Sequence, residues 1–397
     1  MDIQTLNTDY VGQRGRLFWL ALKTSVLTVL SLGFYRFWMK TRLRRYYWSA
    51  IRPGGTPLEY TGTGVEKLMG FLIAVVVLAF YIGVFNLILM FLSFALLNDN
   101  FAAYAMSFVG IIPIYFYAQY RARRYVLART RWRGLRFGID PAAWAYAWRA
   151  MLHWLATFLT LGFLLPRQVF YLEKFRIDRT WFGGMRFHQG GRWTMLIRPA
   201  LHYYAGIAIS LTAVGLGMIE ESFFLLLLLG LPWVAFGWVR FRVGGFRVLA
   251  NHKRLGEAIG FRATIRTGRV LGIYIFGYLL AGLLLLAGLF GILIAFAIAA
   301  AFIGPELSGN APLGANIHVT RLLETSGYLV AALAYFSFFI FWGVLLQIFV
   351  TFPLMKHYAT SLVLTNGHHL STIQQRPRDA FSEAEGFAEA LDIGAAI

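Results

Sequence analysis

The sequence of 397 residues contains no cysteine and is poor in charged residues. The absence of cysteine excludes disulfides, thiolate nucleophiles and cysteine-ligated metal sites. Charged residues make up 14% of the chain, against about 25% in soluble domains. Hydrophobic residues make up 58%. This composition predicts an integral membrane protein.

Acidic residues are the scarcer charged class, with 18 Asp and Glu against 37 Lys and Arg. The basic residues stand at the ends of apolar runs rather than on a separate polar domain, where a nucleic-acid reader would carry them. Anionic membrane lipids are therefore the expected partners, and nucleic acid is not. A protein partner or a second copy of the chain stays open.

Catalytic motifs are also missing from the sequence. There is no Gly-x-Ser-x-Gly elbow, no phosphate-binding loop and no His-Glu-x-x-His helix. The adjacent pair His368 and His369 has no nearby carboxylate at metal-ligand spacing. We therefore expect no metal and no cofactor, and we predict that the protein is not an enzyme.

Six apolar runs reach or approach the roughly 20 residues that a membrane-spanning helix needs. They cover residues 68–97, 104–119, 196–218, 222–239, 271–303 and 327–352. They form three pairs, and the loops within each pair are acidic or neutral, whereas the segments between pairs are strongly basic. The positive-inside rule predicts that the basic segments lie in the cytoplasm.

Two further apolar segments, 17–38 and 143–166, do not fit this charge pattern as full spans. Each contains a charged residue, and each reaches a Gly-Phe pair at which a helix can break and turn back. We interpret both as re-entrant or interfacial helical segments packed inside the bundle. The alternative is eight ordinary spans.

Self-comparison shows an internal repeat, because residues 31–55 align without a gap on residues 160–184. A glycine also lies nine residues after each of five positions, Tyr46, Tyr125, Phe175, Arg247 and Tyr358; these glycines are Gly55, Gly134, Gly184, Gly256 and Gly367. Each copy predicts a helix end, a short extended segment, a glycine turn suited to positive φ and a returning strand. Five such hairpins form either one sheet or ring, or five separate interfacial hairpins.

These patterns predict an all-α polytopic membrane protein with internal repeats. It has about six transmembrane helices, two re-entrant or interfacial segments, and short cytoplasmic β-hairpins after helix ends. The chain divides into a first membrane repeat at 1–134, a second at 135–264 and a third, partial repeat at 265–376. An acidic tail at 377–397 follows, and the sequence does not indicate its role.

Candidate binding residues fall into two groups. Arg149 with His153 and Arg198 with His202 are i, i+4 pairs in or beside apolar segments, and we predict them as the polar lining of a path for an anionic group. Basic residues near helix ends are expected to contact anionic lipid at the interface. They are Lys40, Arg42, Arg44, Arg45, Arg121, Arg123, Arg124, Lys174, Arg176 and Arg247.

The stretch LGFYRFWMKTRLRRYYWSAIRPGGTPLEYTGTG resembles the signature of the YjgN family, bacterial inner-membrane proteins that carry domain of unknown function 898. The matching residues are Leu32, Gly33, Tyr35, Trp38, Lys40, Arg42, Arg44, Arg45, Tyr46, Gly54, Gly55, Tyr60, Gly62 and Gly64. In the aligned stretch 160–184, Glu173 interrupts the basic run. The resemblance implies a bacterial inner-membrane location and a fold, and it carries no established activity.

Two classes of function follow from these observations. The first, which the sequence slightly favours, is a transporter or channel-like conduit for a lipid or an anionic small molecule. The second is a non-transporting membrane scaffold whose basic hairpin face binds anionic lipid or a protein partner. Internal repeats are common in transporters, but duplication alone also produces them.

Overall fold

The computed structural model describes residues 5–97, 100–308 and 315–376, so the acidic tail predicted at 377–397 lies outside the described residues. The helices are α1 (Arg14–Leu30), α2 (Arg36–Ala50), α3 (Gly64–Phe80), α4 (Asn86–Leu97), α5 (Asn100–Ala128), α6 (Ala143–Leu159), α7 (Leu165–Ile177), α8 (Ile197–Gly217), α9 (Leu227–Asn251), α10 (Thr267–Ser308), α11 (Ala315–Leu346) and α12 (Phe352–Thr360). The strands are β1 (Leu6–Tyr10), β2 (Ile51–Pro53), β3 (Leu58–Tyr60), β4 (Thr130–Trp132), β5 (Leu135–Ile139), β6 (Thr180–Phe182), β7 (Met185–Gln189), β8 (Lys253–Leu255), β9 (Ile259–Ala263) and β10 (Leu362–Thr365).

The chain forms two compact units. One contains the described residues of Met1–Gly12, Lys40–Leu271 and Met355–Ile397, and therefore all ten strands. The other contains Gln13–Met39 and the described residues of Gly272–Leu354, including α1 and most of α10 and α11.

The ten strands form one antiparallel sheet in the order β2-β1-β10-β9-β8-β7-β6-β5-β4-β3. The β2–β3 hairpin joins the two ends of this order, so the sheet is a nearly closed ring. The prediction of an all-α protein is therefore wrong. Of the two alternatives for the hairpins, the structure shows the single sheet. We call it the strand ring.

The N-terminal strand β1 completes the strand ring. The first four hairpins each supply two strands, but Gly367 begins a short 3-10 helix instead of a returning strand after β10. β1 pairs with β10 through Leu6 and Leu364 and with β2 through Asp9 and Arg52. The missing strand of the fifth hairpin is thus replaced by a segment from the other end of the chain.

One face of the strand ring is a continuous apolar row, because alternate residues of a strand point to the same face. In register the row runs Leu58, Trp132, Leu135, then Phe137, Phe182, Met185, then Phe187, Leu255, Ile259, then Phe261, Leu364, Leu6. Rings from strands that are not neighbours meet, with Trp132 and Phe182 centroids 5.6 Å apart. This face is therefore the concave interior, and it is a packed core rather than an open pore.

A segment after β10 covers the interior, and we call residues 367–376 the strap. Its Leu370 and Ile373 are buried in the same core cluster. The Gly184 N–H donates to the Gln374 carbonyl (2.8 Å). The Arg376 guanidinium lies 5.0 Å from the Trp181 ring centroid. The strap therefore runs from β10 across the ring to the turn between β6 and β7.

The predicted helix breaks at the two Gly-Phe pairs are confirmed. After α1, Leu32 and Gly33 have φ of 52° and 94°, and after α6, Leu161 and Gly162 have φ of 49° and 90°. In both turns the glycine N–H donates to a helix carbonyl at 2.7 Å. The two turns are therefore the same structure, and their entry into a membrane stays a prediction.

Within the described residues, five helices are long and apolar enough to cross a membrane. They are Gly64–Leu96, Trp193–Gly217, Glu221–Asn251, Thr267–Ile298 and Gly327–Thr360. The sixth predicted run, 104–119, lies inside α5 and is not among them. Each of the five begins or ends within four residues of a strand, so the chain passes directly from every one of these helices into the strand ring.

Candidate functional site

Six of the ten strands carry one arginine each on the outer face of the strand ring. Because neighbouring residues of a strand point to opposite faces, the residues between the apolar ones lie outside. We call the following set the outer arginine row: Arg52, Arg131, Arg136, Arg186, Arg254 and Arg262. In the same register stand two carboxylates, Asp9 and Glu59. The outer face is therefore cationic.

The pairing within the outer arginine row concentrates positive charge. Arg131 stands directly opposite Arg136. Like charges directly opposite each other destabilise a sheet unless an anion lies between them. Arg254 and Arg262 are exposed to solvent. The row therefore presents accessible cations that an anionic group would stabilise.

Sequence reasoning missed the outer arginine row, although a signal for it exists. In six of the ten strands an arginine stands between two residues that face the interior of the strand ring. The stretches are IRP, TRW, LRF, MRF, KRL and FRA. This alternation of a charged residue with buried ones is the period-2 pattern of a strand that has one buried and one solvent-exposed face. The predictions instead centred on arginines at helix ends.

A second set of charges lies where α5 and α7 meet the start of β8. We call Glu173, Arg123, Arg176 and Lys253 the Glu173 cluster. The Glu173 carboxylate lies 2.8 Å from Arg176 Nη2, 3.6 Å from Arg123 Nη1 and 3.7 Å from Lys253 Nζ. The Glu173 side chain is only 17% exposed. Three cations from α5, α7 and β8 thus share one carboxylate.

Burial and the shared charges shift the pKa values in the Glu173 cluster. The pKa of Glu173 lies well below its ordinary value: burial would raise it, but Arg123, Arg176 and Lys253 outweigh burial. Burial lowers the pKa of Lys253, an effect that Glu173 opposes and the two arginines reinforce. Burial likewise lowers the pKa of Arg123 despite Glu173. Burial also opposes the charge of Arg176, but Glu173 outweighs it and raises the pKa of Arg176. The carboxylate is therefore held ionised by three cations, of which Arg123 and Lys253 are themselves partly destabilised.

The basic residues predicted to contact lipid have different surroundings in the structure. Arg44 is buried, and its Nη1 donates to the Tyr60 hydroxyl (3.3 Å). Lys174 pairs with Asp178 (2.9 Å) and donates to the Gln189 carbonyl (2.8 Å). Arg123 and Arg176 belong to the Glu173 cluster. The remaining residues divide by exposure: Arg42, Arg45 and Arg247 are exposed, Lys40 and Arg121 are half-buried, and Arg124 is buried.

Four of the five predicted turn glycines lie in the hairpin turns that follow β2, β4, β6 and β8, and the fifth, Gly367, begins the 3-10 helix after β10. Gly55, Gly134 and Gly256 have positive φ, at 78°, 77° and 59°. At the other two turns the left-handed residue is the preceding one, Gly183 at 55° and Asn366 at 59°. The nine-residue spacing therefore falls on the four hairpin turns and on the end of β10, and in the third and fifth copies the positive φ lies one residue earlier than predicted.

The two predicted lining pairs lie on different helices. Arg149 on α6 is exposed above the Phe175 ring (4.9 Å), and His153 stacks on Tyr171 (5.7 Å). On α8, Arg198 is exposed, and the His202 ring lies 5.5 Å from that of Phe236. Among the described residues, no hydrogen bond, ion pair or ring contact joins the two pairs.

Comparison with known proteins gives one match. The family model described as "Bacterial protein of unknown function (DUF898)" matches residues 5–290, which include nine of the ten strands. No curated protein and no solved structure matches the chain.

Proposed function

The chain belongs to the DUF898 family of bacterial proteins of unknown function, as its resemblance to the YjgN family implied, and on that premise we propose an integral inner-membrane protein whose strand ring binds anionic lipid. The observation that carries the proposal is the outer arginine row. Phosphate groups of lipids are the anions that a membrane surface offers to arginine.

Chain connectivity supports a position of the strand ring at the membrane surface. All five candidate spans begin or end within four residues of a strand, so the strands follow directly where these helices leave the apolar layer. Arginine side chains at that level reach lipid headgroups. The excess of Lys and Arg in the same segments favours the cytoplasmic side.

The second candidate is a conduit for a lipid or an anionic small molecule. Its support is the placement of Arg149 with His153 and Arg198 with His202 on apolar helices, where ionisable residues are costly. The strand-ring interior is packed with apolar side chains, so such a path has to run between helices. We favour a lipid-binding scaffold without catalytic function.

Neutralising two outer arginines is expected to weaken binding of anionic lipid. In the double variant Arg254→Gln and Arg262→Gln, the loss of about 1 kcal/mol per basic residue near the surface gives roughly thirtyfold weaker binding. The measurement is retention of phosphatidylglycerol by the detergent-solubilised protein in native mass spectrometry, across a lipid titration at low salt.

The matched control removes the same charge elsewhere, with Arg149→Gln and Arg198→Gln. Both of these arginines are exposed on helices outside the strand ring. Retention close to that of the parent protein is expected for the control if the strand ring binds the lipid, whereas a loss confined to the control would favour the conduit. Equal losses in the two double variants would show that net charge, not the strand ring, determines lipid binding.

Cysteine labelling can determine on which side of the membrane the strand ring lies, because the chain has no cysteine of its own. The two single variants are Glu257→Cys in the turn after β8 and Ser222→Cys in the 3-10 helix at the start of the candidate span Glu221–Asn251. A membrane-impermeant maleimide added to intact spheroplasts is expected to label only Ser222→Cys. Labelling at Glu257 and not at Ser222 would reverse the orientation.

A further inference from the structure

The Glu173 cluster has an excess of positive charge that its one carboxylate does not balance. Arg123, Arg176 and Lys253 surround Glu173 within 3.7 Å. Partly buried cations are stable only where anions or hydrogen-bond acceptors compensate them. We propose that the Glu173 cluster is a phosphate-binding site, separate from the outer arginine row.

The distances leave donors for a second anion. Only Arg176 lies within hydrogen-bond distance of Glu173, at 2.8 Å, whereas Arg123 and Lys253 stand at 3.6 and 3.7 Å. Both of these cations therefore attract the carboxylate through space while keeping N–H donors for another acceptor. Their side chains are 30% and 21% exposed, so a small anion has access to them.

An unsatisfied donor in the same cluster supports this assignment. The Nε of Arg176 is buried and has no hydrogen-bond acceptor among the described residues. A buried donor on a charged group without an acceptor costs free energy, and an ion or a water is the usual explanation. An oxyanion next to Arg176 supplies the acceptor.

The arrangement of the cations favours phosphate over a simple monoanion. Two guanidinium groups and one ammonium group come from α5, α7 and β8. Guanidinium forks match the paired oxygens of phosphate, and an ammonium group adds a compact point charge. A doubly charged phosphate together with the Glu173 carboxylate balances the three cations. The phosphate is either free in solution or part of a lipid headgroup.

The repeat explains why the site occurs once. Counted from the glycine of each hairpin, the position of Glu173 is occupied in the other copies by Arg44, Arg123, Gly245 and Lys356. Glutamate at this single position draws Arg123 and Lys253 together, and in the equivalent α9 position glycine leaves no side chain at all. The cluster is therefore particular to the third copy.

Titration with inorganic phosphate tests the site. The full-length protein in nanodiscs of neutral lipid is expected to bind phosphate by isothermal titration calorimetry, and Lys253→Met is expected to weaken binding about tenfold or more. Lys253→Arg keeps the charge and is expected to stay within a few-fold of the parent. Lys174→Met is the matched control, because Lys174 has its own partners in Asp178 and Gln189.

Two further arms identify the source of the phosphate and separate the site from the outer face. Phosphatidic acid added to the nanodiscs lowers the apparent phosphate affinity if a headgroup reaches the cluster, and leaves it unchanged if free phosphate is the ligand. The variant with Arg254→Gln and Arg262→Gln is expected to bind phosphate like the parent. Absence of phosphate binding in the parent, or equal binding in the parent and Lys253→Met, would overturn the proposal.

Discussion

Glu173→Gln is expected to lower the free energy of unfolding by about 3 kcal/mol, because removal of one partner from a buried ion pair leaves the other charges uncompensated. Three cations lose their carboxylate in this variant, and none of them has a second acidic partner among the described residues. The measurement is chemical unfolding in detergent micelles, followed by tryptophan fluorescence.

Two control variants separate charge from packing. Glu257→Gln removes an exposed carboxylate in the turn after β8, and it is expected to change stability by less than about 0.5 kcal/mol. Lys253→Met is expected to cost less in the Glu173→Gln background than in the parent, because it then removes a repelled charge. Additive effects of the two substitutions would contradict an electrostatic role for Glu173.

The pH dependence has a definite sign. The folded-state pKa of Glu173 lies below its ordinary value of 4.5, so its stabilisation is fully present above that value and is lost as the pH falls toward the folded-state pKa. The stability difference between the parent and Glu173→Gln is therefore constant from about pH 8 to pH 5.5 and shrinks in stronger acid. If the stability difference between the parent and Glu173→Gln disappeared above pH 6, a group other than Glu173 would have to account for it.

The repeat was the part of the fold that could be predicted from the sequence. The step of nine residues to glycine located the four hairpin turns, and the Gly-Phe pairs located both helix breaks, because turns with positive φ favour glycine at or next to the turn position. Closure of the strand ring has no corresponding local sequence pattern. It depends on pairing between hairpins, such as Phe137 with Phe182, and on β1 from the chain start.

The candidate sites show the same division between local and long-range information. Arg123 and Arg176 were predicted as lipid contacts from their place near helix ends. Glu173 lies three residues before Arg176 on α7, which is a local pair, whereas Arg123 and Lys253 reach Glu173 only through the fold. The strand arginines alternate with buried residues, which is a local pattern. That pattern was too short to recognise, since the strands are three to five residues long.

The contact between the strap and the turn after β6 is the basis of the last expected result. Gly183→Ala is expected to destabilise the protein by about 3 kcal/mol, from backbone strain at positive φ together with loss of Ile373 burial. Gly183 has a φ of 55°, and a Cβ there would lie 2.6 Å from Ile373 Cγ2 and 2.7 Å from the Gln374 carbonyl oxygen. The strap must move to admit the methyl group.

Gly134→Ala is the matched control for backbone strain, because Gly134 has a φ of 77° and no atom within 4 Å of an added Cβ. Strain of about 1 kcal/mol is the whole expected cost there. Hydrogen exchange measured by mass spectrometry on peptides from residues 367–376 is expected to rise in Gly183→Ala and to stay unchanged in Gly134→Ala. Because the strap buries Leu370 and Ile373 against strands on several sides of the strand ring, its release would expose the apolar interior to water. Equal costs for the two substitutions, with no change in exchange, would show that the strap does not hold the strand ring closed.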